Sequence, residues 1–175
     1  MWNETAQQNR NYAWENFMTG NQVLFMDPYV VYYPRENRNL CGSPTNAICS
    51  GPDPRWEDFR KTLGYILRYS RRVNLSTVTP RSSLCSTGYC LAQTASVGAE
   101  YLVYAPSGGS FTINLSAMSS SRTLAVEWFN PSTGATIIEM PIPAGSSSQS
   151  FTPPFSQDAV LYLVDTKGHA GSGRH

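Results

Sequence analysis

Charge is scarce in this sequence, and histidine more so. Only 14% of the 175 residues are charged and the formal net charge is +1. Residues 81–175 hold four basic side chains, Arg81, Arg122, Lys167 and Arg174, against five acidic ones, Glu100, Glu127, Glu139, Asp158 and Asp165. No basic stripe is therefore available for a phosphate backbone, and nucleic acid is not an expected partner. The two histidines, His169 and His175, lie in the Gly/Ser-rich tail, residues 167–175, so neither a histidine-based nucleophile nor a metal site is expected. No apolar run reaches the ~20 residues of a membrane span, and Met1 to Thr5 has neither the basic nor the apolar region of a signal peptide. A membrane is not an expected partner either. Phosphate-loop and dinucleotide motifs are missing, and no cofactor is expected.

What is present suffices for a folded core: 41% of residues are hydrophobic. The most informative stretch is Val23-Leu24-Phe25-Met26-Asp27-Pro28-Tyr29. Four apolar residues without alternation suit a parallel strand covered on both faces, and Pro28 would end its ladder by removing a donor. Asp27 and Tyr29 then sit at the carboxyl end of a strand, where α/β folds bind ligands. A helix precedes it: Asn11 to Met18 carries Tyr12, Trp14, Phe17 and Met18, and Gly20 falls where a left-handed cap would. A second helix is marked by Asp53 as N-cap, Pro54 at the first position and Glu57 and Asp58 in the first turn. Trp56, Phe59, Leu63, Ile66, Leu67 and Val73 form its apolar stripe, and Arg68, Arg71 and Arg72 read as a solvated end complementing the helix dipole.

Past Thr79-Pro80 helical periodicity gives way to short β-prone runs, with a domain boundary between Asn74 and Ser83. The runs are Tyr89 to Thr94, Glu100 to Ala105, Phe111 to Leu115, Leu124 to Phe129, Ala135 to Met140, Ser150 to Phe151 and Ala159 to Val164. Between them lie Pro106-Ser107-Gly108-Gly109, Asn130-Pro131-Ser132-Thr133-Gly134 and Pro143-Ala144-Gly145, which carry turn chemistry. The spacing predicts an antiparallel β-sandwich over 80–166. Trp128, Tyr101, Tyr104 and Tyr162 could offer sugar rings an aromatic platform, yet the alternation of Leu124, Val126 and Trp128 against Ala125, Glu127 and Phe129 places Trp128 opposite Glu127 and predicts burial.

Cysteine spacing leaves two readings open. Cys41 and Cys49 bracket one polar loop, and Cys85 and Cys90 bracket Ser86-Thr87-Gly88-Tyr89; close pairs suit disulfides and an oxidising compartment, and free thiols are the alternative. Neither pair has metal-ligand spacing. Sequons at Asn3, Asn74 and Asn114 are glycosylation candidates compatible with secretion.

Several motifs together resemble a known family. Trp14-Glu15-Asn16-Phe17-Met18-Thr19-Gly20, Phe25-Met26-Asp27-Pro28-Tyr29, Ser86-Thr87-Gly88-Tyr89-Cys90-Leu91-Ala92, Glu100-Tyr101-Leu102-Val103-Tyr104, Val126-Glu127-Trp128-Phe129-Asn130-Pro131 and the segment from Pro154 to Leu163 occur in order. They resemble the carboxyl-terminal third of apiosidase-like glycoside hydrolases, in which a TIM-type barrel precedes a β-sandwich that family descriptions label collagen-binding. The resemblance implies a mixed fold: residues 1–79 as the incomplete end of a (β/α)8 barrel, 80–166 as the accessory sandwich and 167–175 as a flexible tail. It implies a secreted or extracellular enzyme acting on glycosidic bonds of polysaccharide, with its carboxylate pair on strands upstream of Met1, so that this piece is inactive alone.

For Asp27 three roles remain open: a catalytic carboxylate, a substrate-positioning group beside Tyr29, or a cap on local backbone donors. Glu15, Asp53, Glu57 and Asp58 read as helix-surface or capping residues. The alternative function is a non-catalytic module binding glycan or another surface. Carbohydrate is the expected partner on either reading, together with another chain or a second copy met through the incomplete barrel face.

Overall fold

The computed structural model of the protein describes residues 5–24, 30–31, 49–50, 56–95 and 97–167. Asn3, Asp27, Tyr29, Cys41, Asp53, Pro54, His169 and His175 lie outside them, and at Cys49 only the backbone is described.

The first helix, α1, runs Ala6–Met18, longer at its start than its apolar residues alone indicate. Thr5 explains the extension: its hydroxyl accepts from the Gln8 N–H while the Gln8 side chain accepts from the Thr5 N–H, a reciprocal capping box. At the other end Gly20 adopts φ +78°. The Gly20 N–H donates to the Phe17 carbonyl and the Asn21 N–H to the Asn16 carbonyl, the double bond of a Schellman cap. Residues 21–24, just beyond this stop, are irregular. Val23 and Leu24, expected to open a buried parallel strand, lie in no strand, and Leu24 is 75% exposed. A parallel strand needs a parallel neighbour, and every register among the described strands is antiparallel.

Two short strands, β1 (Val30–Val31) and β2 (Cys49–Ser50), pair with each other ahead of α2, Glu57–Arg72. Glu57 and Asp58 occupy its first turn and Arg71 and Arg72 its last, as the dipole favours. Seven strands that match the expected runs within a few residues follow the brief β3 (Thr79–Pro80): β4 (Cys90–Gln93), β5 (Glu100–Ala105), β6 (Phe111–Ile113), β7 (Thr123–Phe129), β8 (Thr136–Pro143), β9 (Gln149–Phe151) and β10 (Ala159–Asp165).

These strands build an antiparallel β-sandwich of unequal halves. A six-stranded sheet has the order β3-β4-β5-β10-β7-β8, and a two-stranded sheet pairs β6 with β9. Side-chain alternation divides the large sheet's residues between two cores. On the inner face Tyr101, Val103, Val126, Trp128, Leu161 and Leu163 pack against Phe111, Ile113 and Phe151 of the small sheet. On the outer face Leu91, Leu102, Tyr104, Phe129, Val160 and Tyr162 pack against Trp14 and Met18 of α1 and Phe59, Ile66 and Tyr69 of α2. The strands β4, β5 and β10 are thus buried on both faces, and Phe59 and Leu63 find their partners in this layer, Phe59 stacking on Tyr12 at 6.5 Å.

Two features fix the edges. The loop after β7 turns through Gly134 at φ +79°, where an added Cβ would meet the Tyr65 hydroxyl oxygen at 2.5 Å, so glycine lets this hairpin lie against α2. At the far edge β8 exposes Ile138 and Met140, 77% and 86% accessible, and carries Pro141 and Pro143, which lack the N–H groups another strand would use.

Trp128 is 1% exposed and Tyr101, Tyr104 and Tyr162 are buried with it, which removes the aromatic platform as a surface feature. Trp128→Ala is expected to cost about 3–5 kcal/mol of unfolding free energy, as for buried tryptophans generally. Denaturant titration of the variant checks this, and an unchanged midpoint would contradict the core assignment.

Candidate functional site

Several chemistry-bearing side chains gather along the seam between the helices and the outer face of the sheet. α1 presents Arg10, whose guanidinium forks onto the carboxylate of Asp158 at the start of β10: Nε donates to Oδ2 at 3.1 Å and Nη2 to Oδ1 at 3.0 Å. Both residues are buried. The Tyr104 hydroxyl reaches Asn11 Oδ1 at 2.7 Å and Asp158 Oδ2 at 3.2 Å, and its single hydrogen serves one of them at a time. Burial first, and the Asp158 charge second, holds this phenol well above the ordinary tyrosine range.

α2 contributes a second knot. The Tyr69 hydroxyl donates to Glu127 Oε1 at 2.7 Å, and Arg72 spans both Glu127 oxygens, with Nη2 to Oε2 at 2.9 Å. The Arg72 guanidinium also lies 4.8 Å from the Tyr162 ring centre and 5.2 Å from that of Tyr69, while Arg68 sits 5.6 Å from the Phe129 ring centre. Two of the three arginines expected to form a solvated helix end are therefore turned onto the sheet. The reason is local: Phe129 and Tyr162 on the outer face offer π surfaces beside a carboxylate that needs a cation. Burial alone would raise the Glu127 pKa, but the bonds from Arg72 and Tyr69 outweigh it and hold the group below its ordinary value. In a third contact, Tyr162 donates to Glu100 Oε1, and Glu100 Oε2 accepts from the Asn74 N–H at 3.0 Å.

These carboxylates are committed to folding. General acid–base work on a glycoside needs two carboxyl groups facing one accessible gap. Among the described residues two clefts flank the seam, and neither holds such a pair. One, about 180 Å³, opens between the start of α1, the first turns of α2 and the β7–β8 loop, and its only carboxylate is Asp58. Its Tyr65 ring makes a T-shaped contact with Phe129 at 5.0 Å, and its hydroxyl lies against Gly134. The other, about 260 Å³, is an apolar groove between Phe17, Leu75, Val78, Pro80 and Leu91. Both fall below the ~300–1,000 Å³ of ordinary small-molecule sites. Among the described residues no group of His, Cys, Asp and Glu could hold a metal ion, and no helix is long and apolar enough to cross a membrane.

The remaining sequence candidates distribute as follows. Asp27, Tyr29, Asn3 and Cys41 lie outside the described residues, and the Cys41–Cys49 pairing with them. Asn74 and Asn114 are exposed, each with Oδ1 accepting from the backbone and hydroxyl of the serine two residues on. Cys85 and Cys90 are buried free thiols, so the disulfide reading of this pair is corrected: both lie in the inner core, and Cys85 Sγ sits 3.1 Å from Thr87 Oγ1. Sequence reasoning missed Arg10, Tyr69, Glu100, Glu127 and Asp158. The signal was there in β5 and β10, whose runs Tyr101-Leu102-Val103-Tyr104-Ala105 and Ala159-Val160-Leu161-Tyr162-Leu163 are apolar on both faces and require a covering layer.

Two outcomes follow for the seam. Arg10→Met leaves the Asp158 carboxylate buried without its cation and is expected to cost about 3–5 kcal/mol, most of it recovered in Arg10→Met/Asp158→Leu; urea denaturation of both variants measures this, and equal losses would contradict it. Glu127 has a native pKa below its ordinary 4.5, so the stability it supplies is complete above that value and is lost as pH falls through the native pKa. Glu127→Gln is expected to flatten that part of the acid limb in denaturation profiles at stepped pH.

Comparison with known proteins places this arrangement. Residues 83–164 match the family described as "Putative collagen-binding domain of a collagenase". No curated protein matches the chain by sequence. Among solved structures, the chain is similar to a glycoside hydrolase family 5 protein from Bacteroides vulgatus ATCC 8482, at 19% identity and TM-score 0.63, over 94% of this chain and 37% of that one. It is similar as well to a structure named a glycoside hydrolase, at 13% identity and TM-score 0.56, over 93% of this chain and 37% of the other. At these identities the likeness is one of fold, and the chain spans little more than a third of the length of either glycoside hydrolase.

Proposed function

We propose that this chain is the carboxyl-terminal part of a secreted, apiosidase-like glycoside hydrolase acting on polysaccharide and inactive by itself. The observation that carries the reading is the extent of the structural likeness: it covers 94% of this chain, so it takes in the helices as well as the sandwich. On this reading the two helices belong to the end of a TIM-type barrel, and the catalytic part corresponds to the portion of the glycoside hydrolase chain that lies beyond the 37% covered here. Asp27 and Tyr29 belong to the rim of the substrate site, and the acid–base pair to earlier strands. The commitment of Glu100, Glu127 and Asp158 to the seam supports a scaffolding role for the part in hand.

A second reading is a non-catalytic module that holds a glycan or protein surface. The description of the matched family as a collagen-binding domain favours it, as do the exposed Ile138 and Met140 on β8.

Both readings predict no release of nitrophenol from aryl glycosides by the purified chain. They part on retention: the module reading predicts that the chain alone is held by insoluble plant polysaccharide or by collagen in a pull-down, and the fragment reading predicts an intact mass in the native source far above 19.3 kDa. Turnover by the chain alone that is abolished in Asp27→Asn would overturn both.

A further inference from the structure

The cleft beside the start of α1 gathers polar groups that the fold leaves unused. α2 contributes Asp58, Lys61 and Tyr65 to its wall, at the three- and four-residue spacing of one helix face. The β7–β8 loop contributes Ser132, and Asn130 Oδ1 fixes that loop by accepting from the Ser132 and Thr133 N–H groups at 2.9 and 3.1 Å. Among the described residues the Asp58 carboxylate, the Lys61 ammonium and the Ser132 hydroxyl make no hydrogen bond or ion pair, unlike the carboxylates of the seam.

Arg10 adds donors that are buried and still open. A guanidinium carries five N–H donors in a planar fork. Asp158 takes the side formed by Nε and Nη2, and Nη1 has no partner among the described residues. Arg10 is 7% exposed, yet Nη1 is not one of the enclosed orphan atoms, so it meets open space, and the space that Arg10 lines is this cleft. The start of α1 reinforces it. The capping box takes up the Gln8 N–H, the N–H groups of Ala6 and Gln7 remain without helical partners, and the first turn has no acidic side chain to offset the dipole.

Donors therefore outnumber acceptors here. Nη1 with the second Nη2 hydrogen forms a flat two-pronged edge that a carboxylate fits, and the Asp158 pair holds that edge still beforehand. Lys61 supplies charge. Asp58, acceptor-only when ionised, suits hydroxyl donors and disfavours an anion of higher charge. At about 180 Å³ the space is that of a single ring rather than of a drug-sized ligand. We propose that this cleft binds one residue of the sugar-acid class, a hexuronate, with its carboxylate on Arg10 and Lys61 and its hydroxyls on Asp58 and Ser132.

The test is an amide-resolved NMR titration of the full chain with sodium glucuronate and its methyl glycoside, and with glucose, acetate and inorganic phosphate as controls. Glucuronate is expected to shift the Ala6, Gln7 and Ser132 amides saturably, and the controls are not. Shifts with the methyl glycoside as well assign the site to a residue within a polysaccharide, and shifts with the free acid alone assign it to a free sugar acid; either supports the hexuronate. Lys61→Ala is expected to weaken binding about threefold to fivefold, as for one partly exposed charge pair. Lys167→Ala, just past the other end of β10, leaves it unchanged. Equal shifts with acetate or phosphate would make this an adventitious ion site only and overturn the proposal. So would shifts that glucose reproduces, the lack of any saturable shift, or a Lys61→Ala titration that matches the parent chain. Binding here needs no catalytic portion, so this result and the reading of the chain as part of a glycoside hydrolase fail independently.

Discussion

Leu91, Leu102, Tyr104, Phe129, Val160 and Tyr162 give the six-stranded sheet an outer face as apolar as its inner one, and the rest of the structure follows from the need to cover it. Burying one large apolar side chain contributes about 1.5–3 kcal/mol. Several such side chains together amount to the whole net stability of a domain, about 5–15 kcal/mol. An antiparallel sandwich ordinarily leaves its outer faces to water. This one cannot, and α1 and α2 supply the cover through Trp14, Met18, Phe59, Ile66 and Tyr69.

Apolar contact alone would let a helix slide by a turn, because it is non-directional. The polar groups in the seam supply the direction. Arg10 meets both oxygens of Asp158 only in one register of α1 on β10, and Arg72 with Tyr69 does the same for α2 on β7 through Glu127. The buried Arg10–Asp158 pair adds little stability compared with well-packed apolar substitutes, since desolvation offsets its attraction, and the partly exposed Arg72–Glu127 pair adds little because water screens it. Their contribution here is position: each carboxylate lies on the sheet and each cation on a helix.

The sandwich strands were legible because their signals are local. Phe111-Thr112-Ile113 alternates, Asn130 to Gly134 carries turn chemistry, and the structure places strands on either side of that turn within a few residues of the expected bounds. The helix end at Gly20 was legible for the same reason. What the sequence hid was long-range. The continuous apolar run from Val23 to Met26 suits a doubly covered strand, yet Leu24 is exposed, while the run from Ala159 to Leu163, apolar in the same way, has its outer side chains covered by α1 and α2. The partnership of Arg10 with Asp158 joins positions 148 residues apart, and no spacing rule connects them. The thiols of Cys85 and Cys90 were visible as a pair, but their place at the meeting of two sheets needed the fold.

The boundary drawn by resemblance and the boundary drawn by packing differ. The family match begins at residue 83, after both helices have ended. A chain cut there would keep every strand from β4 to β10 and still bare six large side chains of its outer face, Tyr104 and Tyr162 among them, with Asp158 left beside no arginine. The unit that evolution can copy, graft or shed intact is therefore larger than the stretch that looks alike in sequence. It reaches back to the threonine that caps α1, and any relative that carries the sandwich without these helices must dress the same face with something else.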